Sequence, residues 1–378
     1  MTGPRNPDHR PAIRLAPAKL NLTLAVLGRR PDGFHDLHSL MVPLELHDRL
    51  SLAPAAGDSD SLTVALSPAL RPDAEALGPA EANLVLRAIA VARQAVGRSA
   101  AARPLAVRLE KLIPVAAGLG GGSSDAAAAL DGALEAWSAD LPAHERLELA
   151  ARLGSDVPFF LAGGAALIEG RGERVSPVRG FIGEPPGVLL VKPAIAVSTP
   201  AVFAALDAGG PAAPSDPRST RMTSDHLASE LETGLRAVDL VARAGVLAVA
   251  NDLGNAAAVV APELKSIRRQ VGRVLGVPVG LSGSGPTLWA LYPSKARAEE
   301  AAAQVSAAVA AGSIDSIGDA PPLVMATAIS TPAGAESQPL SHRQEAFPKG
   351  GPADDPSGDH DIRRPERDRA LQPGHLDP

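Results

Sequence analysis

From residue 13 to residue 27 the chain runs Ile-Arg-Leu-Ala-Pro-Ala-Lys-Leu-Asn-Leu-Thr-Leu-Ala-Val-Leu, and from Lys19 to Thr23 polar and apolar positions alternate. A period of two predicts a strand, with Leu20, Leu22 and Leu24 on one face and Lys19 and Asn21 on the other. Pro17 begins or interrupts it. Lys19 and Asn21 read either as an exposed strand face or as polar chemistry carried on an otherwise apolar strand. The same reasoning predicts strands at 44–52 and 62–66, joined as a meander by the Gly/Asp/Ser turn 57–61, and at 105–109, 165–169, 188–191, 287–292 and 323–329. Helical spacing predicts helices over 83–96, 143–153, 262–275 and 294–311, and Leu130, Leu134 and Trp137 fall on one buried helix face. Ser198 or Thr199 caps another helix, with Pro200 in its first turn. Residues 208–222 read as a mobile surface loop. Strands and helices in this mixture predict an α+β layer fold. Residues 1–11 and everything after about Thr331 lose the pattern and read as a disordered lead and tail.

The stretch Pro114-Val115-Ala116-Ala117-Gly118-Leu119-Gly120-Gly121-Gly122-Ser123-Ser124-Asp125 places four glycines in five positions. Without side chains, its backbone N–H groups can approach a ligand closely. Ser123, Ser124 and Asp125 offer N-cap chemistry, and an alanine run of high helix propensity follows. A glycine loop emptying into a helix N-terminus is a phosphate cradle; the alternative is a flexible turn before a structural helix. A dinucleotide fingerprint needs glycine at its first, third and sixth positions, but the sixth position is Ser123 counted from Gly118 and Asp125 counted from Gly120. A Walker A loop ends in Gly-Lys-Ser/Thr, and no lysine lies between Lys111 and Lys192. A phosphate-binding lysine therefore comes from elsewhere or is absent.

Two more clusters carry candidate chemistry. Phe34 and His35 stand at the tip of a turn-rich loop over 28–37, suited to stacking on and hydrogen-bonding a planar ligand, or simply solvated. Asp156 lies in Gly154-Ser155-Asp156-Val157-Pro158-Phe159-Phe160, where Pro158 blocks immediate helix propagation. It reads either as an N-cap for the Phe159 turn or as a carboxylate in a partly apolar pocket, suited to taking a proton. A second small-residue loop, Ser282-Gly283-Ser284-Gly285-Pro286, follows later.

Composition narrows the class. The 378 residues suffice for about two domains, and with 45% hydrophobic but 2% aromatic residues the cores are built from Ala, Val and Leu. The absence of cysteine excludes disulfides, thiolate metal sites and a cysteine nucleophile. No apolar run reaches the roughly 18 residues of a membrane span, and the start of the chain lacks the apolar region of a signal peptide. The expectation is a cytoplasmic protein. Of the net charge of −6, nine acidic and six basic residues place −3 after residue 330, so the near-neutral body argues against a nucleic-acid partner.

Ala16-Pro17-Ala18-Lys19-Leu20-Asn21-Leu22, Asp32-Gly33-Phe34-His35, the stretch 114–129, Gly154 to Phe159 and Leu281 to Pro286 occur in an order that resembles the GHMP small-molecule kinases. The resemblance covers roughly residues 12–330. Within that superfamily, the first-strand motif and Asp-Gly-Phe-His resemble the members that phosphorylate a cytidine diphosphate-linked alcohol on the non-mevalonate route to isoprenoids. The resemblance implies a ribosomal-S5-domain-2-like N-terminal domain over 12–180 and a ferredoxin-like C-terminal domain over 181–330. It implies ATP with its phosphates on residues 114–124, Asn83 near the adenine, and Mg²⁺ held with the help of Ser124. It implies Asp156 as the general base and Lys19 as its partner beside the attacking hydroxyl. Asn21 would belong to the substrate pocket, His35 would read the cytosine edge, and Phe34 and Phe203 would be aromatic neighbours of the base. Asp125, close to phosphates, needs a cation or an outward rotamer. A homoserine or mevalonate-type kinase is the competing reading, and a nucleotide-binding module without catalysis a third. The implied partner is a small molecule, with neither nucleic acid nor membrane, and the chain a monomer or homodimer.

Overall fold

The computed structural model describes residues 11–70, 82–97, 103–214, 216–317 and 320–331. The expected lead up to residue 10 and the expected tail from residue 332 lie outside the described residues. Strands β1 (Ala12–Asn21) and β2 (Ala25–Arg29) pair antiparallel with β3 (His35–Pro54), a 20-residue strand that organises the first sheet. Beyond β3 come β4 (Ser61–Leu66), β5 (Leu105–Lys111), β6 (Ala166–Gly170) and β7 (Arg174–Pro177), in the order β4-β5-β3-β6-β7.

The expected meander is corrected here, because β4 pairs in parallel with β5, and β5 lies between β4 and β3. Parallel neighbours require a crossover, and α1 (Leu84–Val96) is the helix between them, burying Val85, Ala88, Ile89 and Ala92. Asp60 secures the arrangement by accepting from Leu105 N at 2.8 Å and from the Arg93 guanidinium at 2.6 and 2.7 Å. The register of β1 against β3 shifts between Pro17 and Lys19, as expected of a residue with no N–H to donate. Lys19 and Asn21 are nevertheless buried. Their strand face is covered, which removes the exposed-face reading.

Helix α2 (Gly121–Ala136) lies on β1 and β3 and is followed by α3 (Ala143–Leu153) and α4 (Val157–Ala162). A short parallel pair joins β8 (Phe181–Ile182) to β10 (Leu235–Arg236). The second sheet holds β9 (Gly187–Lys192), β11 (Gly280–Leu281), β12 (Leu288–Tyr292) and β13 (Leu323–Ala328), antiparallel in the order β11-β12-β9-β13. Helices α5 (Thr199–Ala208), α6 (Pro217–Thr233), α7 (Ala237–Ala242), α8 (Ala244–Leu247), α9 (Gly254–Val260) and α10 (Glu263–Leu275) lie between β9 and β11 in the chain. Helix α11 (Lys295–Ala310) packs on β9 and β13. This sheet order is the ferredoxin-like layer that the motifs implied.

The predicted mobile loop 208–222 is shorter than expected. Residues Gly210–Ala212 form a 3₁₀ turn, and α6 starts at Pro217, with the Asp216 carboxylate accepting from Arg218 N at 3.1 Å. The buried stripe of α6 begins with Thr220 and Ser224 before Leu227, Ala228 and Leu231. Its first turns are buried through polar residues, which an apolar periodicity does not register. One continuous cluster joins Leu20, Leu22, Leu40, Val42 and Leu44 of the first sheet to Val188, Leu190, Trp289 and Leu291 of the second. That shared core holds β1 and the loop after β11 within reach of each other.

Candidate active site

The glycine loop is a shaped backbone segment. Ala116, Gly118 and Gly120 have φ of 50°, 75° and 70°, and such alternation turns successive N–H groups into one concavity. Gly120 occupies the N-cap position of α2 without a side-chain cap. Ser123, Ser124 and Asp125 lie inside the helix, so the expectation that they cap it is corrected. The N–H groups of the first turn thus remain available to an anion. With Ala82, Asn83, Leu84 and Lys111, residues 114–123 line a cavity of about 360 Å³. Asn83 is spent locally as the cap of α1, accepting from Val85 N at 3.0 Å, while it borders that cavity.

Protein packing requires two of the glycines. A Cβ on Gly118 would lie 2.5 Å from the Ser282 carbonyl oxygen and 2.8 Å from that of Gly285. The glycine loop and the second small-residue loop therefore touch backbone to backbone, and Ser282 Oγ donates to Gly118 O at 2.9 Å. A Cβ on Gly120 would lie 2.8 Å from Lys19 Cγ and 2.9 Å from Phe160 Cζ. The lysine stem crosses the loop at its last turn.

Lys19 brings its ammonium to the same place. Its Nζ donates to Asn21 Oδ1 at 2.6 Å and forms an ion pair with Asp156 Oδ2 at 3.7 Å. Its side chain is 5% exposed and that of Asp156 is 30% exposed, so the pair sits at the edge of solvent. Burial lowers the Lys19 pKa despite the charge of Asp156. Asp156 stands at the N-cap position of α4, but its side chain makes no cap hydrogen bond, and that reading is set aside. Asn21 is engaged at both ends of its amide, since Nδ2 donates to Ser39 Oγ at 2.8 Å. Gly283 closes over this group: a Cβ there would lie 3.4 Å from Lys19 Nζ and 3.5 Å from Asn21 Oδ1.

His35 and Phe203 form a second cluster. Their rings stack with centroids 4.6 Å apart and planes 23° apart, and His35 Nε2 donates to Asp207 Oδ1 at 2.7 Å. Phe34 is 47% exposed, with the Arg171 guanidinium 5.2 Å from its ring centre. Thr199, the first residue of α5, reaches Ser284 Oγ at 2.8 Å. Phe203 therefore rides on a helix attached to the loop that abuts Gly118.

One buried cluster was not singled out from sequence. Lys111 Nζ donates to Asp48 Oδ2, and to Asp125 Oδ2 at 2.7 Å, with all three residues buried. Asp48 Oδ1 also accepts from Leu112 N and Ile113 N at 2.6 and 2.8 Å. Burial works against the Lys111 ammonium, but the two carboxylates outweigh it and raise its pKa. Burial pushes the Asp125 carboxyl up to about 7, against the pull of Lys111. Lys111 is the cation that the charge of Asp125 required. The alternation was there to be read, because Leu105, Val107, Leu109 and Lys111 share the buried face of β5. Ser124 Oγ and Asp125 Oδ1 are buried without a hydrogen-bond partner among the described residues.

Comparison with known proteins converges on one family. The family model described as GHMP kinases N terminal domain matches residues 83–164, and GHMP kinases C terminal matches residues 238–311. The 4-diphosphocytidyl-2-C-methyl-D-erythritol kinase of Pelotomaculum thermopropionicum is 40% identical over 294 residues, covering 77% of this chain and 92% of that protein. A crystal structure of 4-(cytidine 5'-diphospho)-2C-methyl-D-erythritol kinase superposes with a TM-score of 0.57 at 32% identity, over 84% of this chain and 99% of that one. The homoserine kinase of Cytophaga hutchinsonii superposes with a TM-score of 0.59 at 16% identity, over 87% of this chain and 97% of that one, which shows a shared fold. The chain thus belongs to the 4-diphosphocytidyl-2-C-methyl-D-erythritol kinase family of the GHMP kinases.

Proposed function

We propose that this chain transfers the γ-phosphoryl group of ATP to the 2-hydroxyl of 4-diphosphocytidyl-2-C-methyl-D-erythritol. The observation that carries the reading is the buried Lys19, its ammonium 3.7 Å from the Asp156 carboxylate and its stem packed on Gly120, where the backbone anion cradle ends. The substrate hydroxyl lies between Lys19 and Asp156, and its oxygen attacks the γ-phosphorus. The bond from that phosphorus to the β-bridging oxygen breaks, ADP leaves, and the hydroxyl proton passes to Asp156. Lys19 stabilises the negative charge that develops on the attacking oxygen. Positioning and charge stabilisation supply most of the catalysis in such a transfer. Residues 114–124 hold the phosphates, and Asn83 borders the adenine. His35 and Phe203 receive the cytosine, with Phe34 at the rim.

Mg²⁺ fits this reading because Ser124 Oγ, at the first turn of α2, is buried and lacks a hydrogen-bond partner among the described residues. A phosphate-bound Mg²⁺ needs few protein ligands, and when bound it neutralises charge on the β- and γ-oxygens. We assign residues 12–180 to an ATP-binding domain and 181–330 to a second domain, with the substrate between them.

The test is ADP release from purified full-length chain, with 4-diphosphocytidyl-2-C-methyl-D-erythritol, homoserine and mevalonate supplied separately. The expected kcat/KM favours the cytidyl substrate by about two orders of magnitude or more, because a site built to hydrogen-bond a substrate group rejects analogues lacking it. A preference for homoserine or mevalonate would overturn the substrate assignment.

A further inference from the structure

We infer that Ser39 is a positioning residue for phosphoryl transfer, acting through Asn21 on the Lys19 ammonium; the inference rests on the role proposed for Lys19. Ser39 lies on β3 and is fully buried, as is Thr23. Its hydroxyl proton is committed, because Ser39 Oγ donates to the Thr23 carbonyl at 2.6 Å. Only lone pairs of Ser39 Oγ then face Asn21, so the amide must present its NH₂ to Ser39, at 2.8 Å, and its Oδ1 to Lys19, at 2.6 Å. The opposite amide orientation would turn N–H groups toward the ammonium, which has no lone pair to accept them.

The relay is anchored at its far end. Thr23 Oγ1 accepts from Leu40 N at 3.0 Å and shares a hydrogen bond with Ser224 Oγ of α6 at 2.7 Å. Ser224 Oγ also contacts the Thr220 carbonyl at 3.0 Å, and Thr220 donates to the buried Asp252 at 2.8 Å. Among the described residues, Lys19 therefore has one short acceptor, Asn21 Oδ1, whose direction is set two residues away from the chemistry. Asp156, at 3.7 Å, lies beyond hydrogen-bond distance and leaves that acceptor to aim the ammonium.

The test compares Ser39→Thr, which keeps the hydroxyl, with Ser39→Val, which has Thr's shape without it. Ser39→Ala serves as the variant that cannot overpack. Ser39→Val and Ser39→Ala are expected to lower kcat about tenfold to a hundredfold, the range of one hydrogen bond to a charged group. The KM for ATP should stay within about twofold, because the cradle is untouched. Ser39→Thr should keep kcat within about threefold of the parent. Equal kcat for the Thr and Val variants, or a folded Ser39→Ala protein with parental kcat, would overturn the inference. Lys19→Ala separates the two levels: parental activity in that variant would sink the role of Lys19 itself. An inactive Lys19→Ala beside a fully active Ser39→Ala would sink only the relay.

Discussion

A carboxylate just past the first turn of α2 would repel the phosphates that the helix N-terminus attracts. Asp125 avoids this by pairing with Lys111, whose ammonium also donates to Asp48. Two carboxylates and one ammonium cannot all be charged in a buried site without cost, and the Asp125 carboxyl is pushed up to about 7. A raised carboxyl pKa means that folding favours the protonated form. The stability Asp125 contributes is full below about pH 4 and is lost as pH rises through about 7. In nucleotide-free, metal-free buffer, Tm of the parent should therefore fall between pH 5 and pH 8 by more than Tm of Asp125→Asn does. Equal falls in the two proteins would contradict the charge arrangement. Residue chemistry was unevenly legible in the sequence. Lys111 was readable as the fourth inward position of β5. Ser39 was not, because a serine between Leu37 and Met41 on its strand face looks the same whether it fills space or aims an amide.

Among the elements, the glycine loop carries more constraint than its composition announces. Glycine between a strand and a helix suggested ligand access, yet Gly118 and Gly120 are also required by positive φ and by contacts with residues 282–285 and Lys19. Gly122 differs: it is helical, and a Cβ there would meet only Leu84 Cδ1 at 3.9 Å. Gly118→Ala should therefore destabilise the fold by about 2 kcal/mol or more, through left-handed backbone strain and the clash with two carbonyls. Gly122→Ala should melt at or above the parental temperature, since alanine is the better helix former. Thermal melts of the two variants decide this; a Gly118→Ala protein as stable as Gly122→Ala would refute the packing account. The helix starts and stops at α1, α3 and α11 were legible because caps and apolar spacing are local properties. The N-terminus of α2 was misplaced because Gly120 reaches the αL conformation without a capping side chain.

At the scale of the whole molecule, the longer strands were readable, but the first half of β3, the short strands β7, β8, β10 and β11, and the partnership of strands were not. Alternation located β4 and β5, but only the crossover through α1 and the Asp60 bonds make them parallel neighbours. The assembly of the site is equally non-local. Lys19 comes from β1, Asp156 from the start of α4, the cradle from the loop before α2 and Gly283 from the loop after β11. Only the family resemblance joined these segments before the fold did, since no period or propensity links residues so far apart. The central claim is that this convergence performs phosphoryl transfer to a cytidyl-linked alcohol through Lys19 and Asp156. The direct measurement is ³¹P NMR of full-length chain incubated with ATP, Mg²⁺ and 4-diphosphocytidyl-2-C-methyl-D-erythritol, run beside folded Lys19→Ala and Asp156→Ala proteins. The parent should produce a new phosphomonoester resonance while the substrate's diphosphate stays intact, and each variant should form it at least about 10²-fold more slowly. No phosphomonoester from the parent, or undiminished formation by either variant, would contradict the account.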